Sequence, residues 1–144
     1  MAKSKKEIRD ILHAHGLRAT APRLAVISLL QEAGRPLSYT EVLSDLGNVD
    51  WDTSTVYRNL VRLCAAGLVT MVGRIDGADR YALVLAQVDH HDHPHFFCRV
   101  CAKVMCLPGS RLVLPKTAGD GWDEAIKRST VQFKGVCPEC KNKD

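Results

Sequence analysis

Two Cys-x-x-Cys pairs, Cys98/Cys101 and Cys137/Cys140, are the residues of this 144-residue chain whose spacing points most directly to chemistry. A two-residue spacer lets both sulfurs of a knuckle reach one metal, so two knuckles supply a tetrahedral four-cysteine zinc site. The alternative is a disulfide within each pair. That suits an exported chain, and the opening MAKSKKEIRD has no apolar signal-peptide core. A run HHDHPH, from His90 to His95, ends just before the first knuckle. Its four histidines and one aspartate are more ligands than a closed four-sulfur site uses. They point to a second metal site, so that one ion holds structure and the other is read out.

Around these groups the composition is ordinary, 46% hydrophobic and 25% charged, with a net charge of +4. Residues 1–85 carry 11 Lys/Arg against 9 Asp/Glu, and residues 86–144 carry 9 against 7. Bulk charge therefore permits nucleic-acid binding without arguing for it, and the argument must come from placed residues. No apolar run approaches the roughly 18 residues a membrane span needs. Six cysteines kept reduced for metal place the chain in the cytoplasm. Catalysis is not expected. There is no His-Glu-x-x-His, no nucleophile elbow, no Gly-rich phosphate loop, and no Glu beside the histidine run to serve as general base.

The hydrophobic pattern predicts an α+β protein. Lys5–His15 has Ile8, Ile11 and Leu12 at helical spacing, with Gly16 as its stop. Thr20 caps a second helix with Pro22 in its first turn, ending at Gly34. Ser38 and Glu41 form a capping box for a short third helix through Leu46. Asp52 or Thr53 starts a fourth, which Gly67 ends. Leu68–Val72 and Arg80–Val84 alternate as strands, with Asp76-Gly77 as the turn between them. Helices closed by a two-stranded ribbon make a winged helix, a helix-turn-helix variant. The expected organisation is a winged-helix domain over 1–85, a His-rich linker over 86–95, and a small α/β domain over 96–144 holding the zinc. Within the last, His95–Cys98, Lys103–Leu107 and Ser129–Val136 read as strands and Trp122–Lys127 as a short helix.

The fourth helix separates a structural module from a DNA reader. With Val56, Leu60 and Leu63 on its buried face, about 100° per residue puts Ser54, Arg58 and Arg62 opposite and Thr55 and Tyr57 at the flanks. Hydroxyls, an aromatic ring and two arginines suit phosphate clamping and base-edge contact. The plainer reading is a solvated polar face. Other residues have equally plain readings: Cys64 as core, His13 and His15 as solvated, Trp51 and Trp122 as packing, and Lys3, Lys5, Lys6 and Arg9 as a solvated tail able to add phosphate contacts.

TSTVYRNL (Thr53–Leu60), GLRATAPR (Gly16–Arg23), HPHFFCRVC (His93–Cys101) and GVCPEC (Gly135–Cys140) resemble the ferric uptake regulator family. The resemblance implies a DNA-binding domain over 1–85, a hinge over 86–95 and a dimerisation domain over 96–144. The candidate regulatory ligands point to a zinc-uptake-regulator-like member. The resemblance implies a homodimeric, metal-responsive transcription repressor that binds double-stranded operator DNA and controls metal-uptake genes. It puts Tyr57 and Arg58 at major-groove positions and Arg18 near the minor groove. It gives Cys98, Cys101, Cys137 and Cys140 a structural Zn2+.

The family's regulatory site is only partly represented. His93 and His95 stand where a His-x-His is usual, but Pro94 lies between them and Cys106 takes a position often held by a carboxylate. Arg35 or Pro36, Ala82 and Ser129 occupy positions that usually carry ligands. The remaining candidates are His91, Asp92, His93, His95 and Cys106. A thiolate in place of a carboxylate shifts preference from Fe2+ toward tetrahedral Zn2+, although Cys106 can equally be a small buried hydrophobe. The expected function is a zinc-responsive repressor. The alternatives are an iron- or peroxide-responsive regulator, or a zinc-ribbon adaptor or metal buffer without DNA binding.

Overall fold

The computed structural model describes residues 2–84, 94–107, 121–127, 129 and 131–143. The chain divides into two compact units, Met1–Val88 and Asp89–Asp144.

The first unit runs α1 (Lys5–Ala14), α2 (Ala21–Ala33), β1 (Leu37–Ser38), α3 (Tyr39–Leu46), α4 (Thr53–Ala65), β2 (Val69–Ile75) and β3 (Ala78–Leu83). Local chemistry sets most of these boundaries. Ser4 and Glu7 form a reciprocal capping box on α1, and Ser38 and Glu41 form another on α3. Gly34 closes α2 in the left-handed conformation. Asp76 and Gly77 both take positive φ, 52° and 79°, as a tight turn between twisted strands requires. The ribbon has a third strand that the sequence pattern did not predict. Leu37 and Ser38 pair antiparallel with Tyr81 and Arg80, giving the order β1-β3-β2. Two residues are too few to show alternation, which is why β1 is invisible to periodicity.

Apolar residues from all four helices and both long strands meet in one core, including Ile8, Leu12, Ile27, Leu30, Val42, Val56, Leu60, Leu63 and Leu68. Half-buried Cys64 packs against it. At the junction of α3 and β3, Glu41 takes a hydrogen bond from the buried Arg80 guanidinium (2.9 Å) and another from Arg35 (3.2 Å). The same carboxylate serves the α3 capping box.

The second unit contains β4 (His95–Cys98), β5 (Val104–Cys106), α5 (Trp122–Lys127), β6 (Gln132–Gly135) and α6 (Pro138–Lys141). Its sheet has the order β5-β4-β6, with β5 antiparallel and β6 parallel to the central β4. The short α6 was not anticipated; Cys137 is its N-cap residue and Pro138 fills its first turn, where the missing N–H costs nothing. Gly135 permits close strand packing, since a Cβ there would lie 3.1 Å from the Phe96 ring.

Truncating Glu41 takes an ion-pair partner from the buried Arg80 guanidinium and removes a cap. Glu41→Ala is expected to cost about 2–3 kcal/mol, discounted for the partial exposure of Glu41. A thermal melt should show the transition lowered by roughly 10 °C.

Candidate metal centre and nucleic-acid face

The sheet of the second unit brings the two knuckles together. Cys98 ends β4, and the chain turns through Ala102 at φ 59°, whose N–H donates to the Cys98 carbonyl (2.9 Å). Cys98 pairs across the parallel ladder with Gly135, two residues before Cys137. The Cys137 N–H donates to Cys98 Sγ at 3.3 Å, joining one knuckle to the other. The ligand atoms of Cys98, Cys101, Cys137 and Cys140 all lie within 4.8 Å of one another.

Four sulfurs around one Zn2+ stand about 3.8 Å apart, from tetrahedral geometry with Zn–S near 2.3 Å, so the quartet fits this ion with small adjustment. A bridge within each knuckle gives no reason for all four to converge. The thiols respond differently to this crowding. Backbone N–H groups of Cys101 and Cys137, in that order of effect, lower Cys98 to about 6. Hydrogen bonding to Cys137, burial and the other sulfurs push Cys140 up to about 12. Without a cation, then, one sulfur ionises readily while a neighbour resists. A divalent ion removes that conflict by stabilising every thiolate at once.

Of the second proposed set, His95 and Cys106 are described; His91, Asp92 and His93 lie outside the described residues. His95 on β4 faces Cys106 on β5 as a cross-strand pair. The adjacent Leu107 N–H donates to Pro94, which makes His95–Cys106 a non-hydrogen-bonded position, where side chains of a pair lie closest. His95 is buried and Cys106 half-buried, and burial raises the Cys106 thiol to about 11. This sulfur stays protonated unless a cation compensates. An imidazole beside a thiol on one face supplies two ligands of the type Zn2+ takes.

The usual family site does not fit the rest of the chain. Arg35 is engaged with Glu41 and with the Pro36 carbonyl, Ala82 is buried, and Ser129 donates its hydroxyl to the Ile126 carbonyl. Pro36 and Ala82 carry no ligand atom in their side chains, and the polar groups of Arg35 and Ser129 have other partners.

The nucleic-acid candidates lie on α4 and on the segment between α1 and α2. Val56, Leu60 and Leu63 are fully buried, while Ser54, Tyr57, Arg58 and Arg62 are exposed and Thr55 is half-buried, as the helical pattern predicts. Arg18 is exposed before α2. Tyr57 stands edge-on against Tyr39, with centroids 5.6 Å apart, and the Tyr39 hydroxyl donates to the Thr53 carbonyl (2.7 Å). Arg58 folds back along its helix, donating to the Ser54 carbonyl (3.3 Å) and Thr55 Oγ1 (3.4 Å). Ser54 Oγ donates to Asp52 (2.7 Å), and this bond is the largest cause holding the Asp52 carboxyl below its ordinary range.

Sequence reasoning overlooked two polar residues in the packed interior, Arg23 and Asn59, which are hydrogen-bonded to each other. The available signal was their position: Asn59 falls among Val56, Leu60 and Leu63, and Arg23 one turn before Val26 and Ile27.

Comparison with known proteins gives one consistent result. The model of the ferric uptake regulator family matches residues 14–111. Transcriptional regulator FurA of Mycobacterium tuberculosis is 31% identical over 141 residues, covering 92% of this chain and 89% of its own length. The ferric uptake regulation protein of Legionella pneumophila is 28% identical, with 88% and 93% covered. Among solved structures, the Vibrio cholerae ferric uptake regulator superposes with a TM-score of 0.60 at 25% identity, over 90% of this chain and 98% of that one. A zinc uptake regulator in complex with zinc and DNA shares the fold, with a TM-score of 0.58 at 20% identity over 98% and 97%.

Replacing Cys137 by Ser, or stripping the native chain with a strong chelator, is expected to remove one zinc per chain from the quartet. Hydrogen exchange should then speed up in the amides of β4 and β6 and leave the α2 and α4 amides protected.

Proposed function

This chain belongs to the ferric uptake regulator family of transcriptional regulators, and we propose that it is a zinc-responsive repressor that binds operator DNA as a homodimer. Control of metal-uptake genes in the cytoplasm accords with that reading. Among the described residues, no helix is long and apolar enough to cross a membrane. The observation that carries the choice of metal is the His95–Cys106 cross-strand pair. By the resemblance, a thiol occupies a place where the family often has a carboxylate, and thiolate with imidazole favours zinc.

In this reading Cys98, Cys101, Cys137 and Cys140 hold a permanent zinc. His95 and Cys106, with His91, Asp92 and His93 as further ligands, hold an exchangeable one. Zinc bound there supplies the positive charge that ionises Cys106 and draws its ligands into one arrangement. Coupling between such a site and DNA is typically about 1–3 kcal/mol. Exposed Tyr57, Arg58, Arg62 and Ser54 on α4, with half-buried Thr55 beside them, meet the major groove, and Arg18 reaches toward the minor groove. An adaptor or metal buffer needs no such face.

Iron sensing is the second reading, favoured by the names of several curated relatives, which are ferric uptake regulation proteins. Titrating DNA binding against free Zn2+ and Fe2+, with bound metal counted per chain, separates the two. Zinc is expected to restore binding at the lower free concentration; activation by iron alone would overturn the zinc reading.

Two substitutions test the parts. Arg58→Ala is expected to weaken binding by about 1–3 kcal/mol, roughly 5- to 150-fold, with zinc content unchanged. Cys106→Ser should leave one zinc per chain and make DNA binding indifferent to added zinc, as read by anisotropy of a labelled duplex.

A further inference from the structure

We propose that Arg23 is a positioning residue that couples the Arg18 segment to the recognition helix, so that the two DNA-contacting elements engage as one unit. The inference rests on the DNA-binding reading of Arg18 and Arg58. Arg23 lies in the first turn of α2 and is 7% exposed. Its guanidinium is a fork with one prong on each element. Nε donates to Asn59 Oδ1 on α4 (3.1 Å), and Nη1 donates to the carbonyl oxygen of Arg18 (2.9 Å).

Both acceptors are themselves fixed. Asn59 Nδ2 donates to the Thr55 carbonyl one turn earlier (2.9 Å), which orients the amide with its oxygen toward Arg23. The Arg18 carbonyl also accepts the Thr20 N–H (3.0 Å), which holds the backbone that presents the Arg18 side chain. The helical turn from Thr55 to Asn59 carries Tyr57 and Arg58 on its outer side. A shift of either element is therefore transmitted through one rigid planar group.

Stability alone does not call for this arrangement. Among the described residues no carboxylate pairs with Arg23. Burying a cation without one is costly, and an apolar side chain of similar volume would pack the same space at lower cost. The guanidinium can bridge two acceptors in fixed geometry, which an ammonium on a flexible stem does not reproduce.

The test is a double-mutant cycle on the full zinc-loaded chain. The probe is a duplex selected from a random-sequence library with the native protein. In the native background, the loss from combining Arg18→Ala with Arg58→Ala is expected to fall short of the product of the single losses by about fivefold. Asn59→Leu breaks only the α4 prong and should abolish that shortfall, leaving the two losses multiplicative. Asn59→Asp keeps an acceptor for Nε and should restore it, whereas Arg23→Lys should not.

Additive free-energy losses in the native chain would overturn the proposal, as would a shortfall that survives both Asn59→Leu and Arg23→Met. A direct phosphate contact by Arg23 predicts something different: Arg23→Met would lower the salt slope by about one unit and leave the cycle unchanged. That result also overturns it. If Arg18→Ala and Arg58→Ala each bind as the native chain does, the DNA reading itself fails and this inference with it. Should Arg23→Met melt too low for assay, the Asn59 pair decides alone.

Discussion

The convergence of four sulfurs at the ends of β4 and β6 is the constraint on which the second unit depends. Its described residues form three strands of three or four residues and two short helices. Among them Phe97, Val104 and His95 are buried, together with the knuckle cysteines Cys98 and Cys137. Units of this size need a cross-link or a metal to compensate for chain entropy. The Cys98–Gly135 strand pairing and the Cys137 N–H to Cys98 Sγ bond place the thiols in register. Secondary structure thus determines where a metal would sit, and an ion bound there would tie the two knuckles together.

The first unit meets its demands differently, with a core built from every helix and with polar groups used as connectors. Glu41 caps α3 while holding Arg35 and Arg80, so one carboxylate joins the α2–β1 segment, α3 and the wing. Around Pro36 and Ala82, guanidinium groups and an acid do the joining. That chemistry explains how those positions have no metal ligand while the unit keeps its fold. On α4, one side is entirely apolar apart from Asn59, and the opposite side presents a ring, hydroxyls and arginines. Packing forces the second side outward, which makes the exposed polar face a consequence of core formation.

Much of this was legible in the residues. The Ser38/Glu41 box, Gly34, Asp76-Gly77 and the Val56, Leu60, Leu63 stripe each act over one or two turns, so short-range pattern reveals them. The knuckles were legible because cysteine spacing encodes a metal-binding geometry directly. The strand β1 was not, since its two residues are ordered by Tyr81 and Arg80 far along the chain. Nor was the Arg23–Asn59 bond, because a buried polar pair across 36 positions leaves no periodic trace. The His95–Cys106 apposition falls between these cases: both residues were candidates, but only the register of β4 with β5 puts them on one face. The positions Arg35, Pro36, Ala82 and Ser129 stood out from the resemblance as departures, and the structure supplies their alternative roles.

The parallel pairing of β4 with β6 has a consequence for how the protein comes into being. Parallel neighbours require a long crossover, and the first knuckle must wait through it for the second. Such distant contacts form late, after the helices of the first unit have gathered through nearer ones. During biosynthesis a pool of molecules would then exist with one end finished and the other still open. Were an ion to close the quartet, the rate at which mature protein accumulates would depend on how fast that ion is delivered.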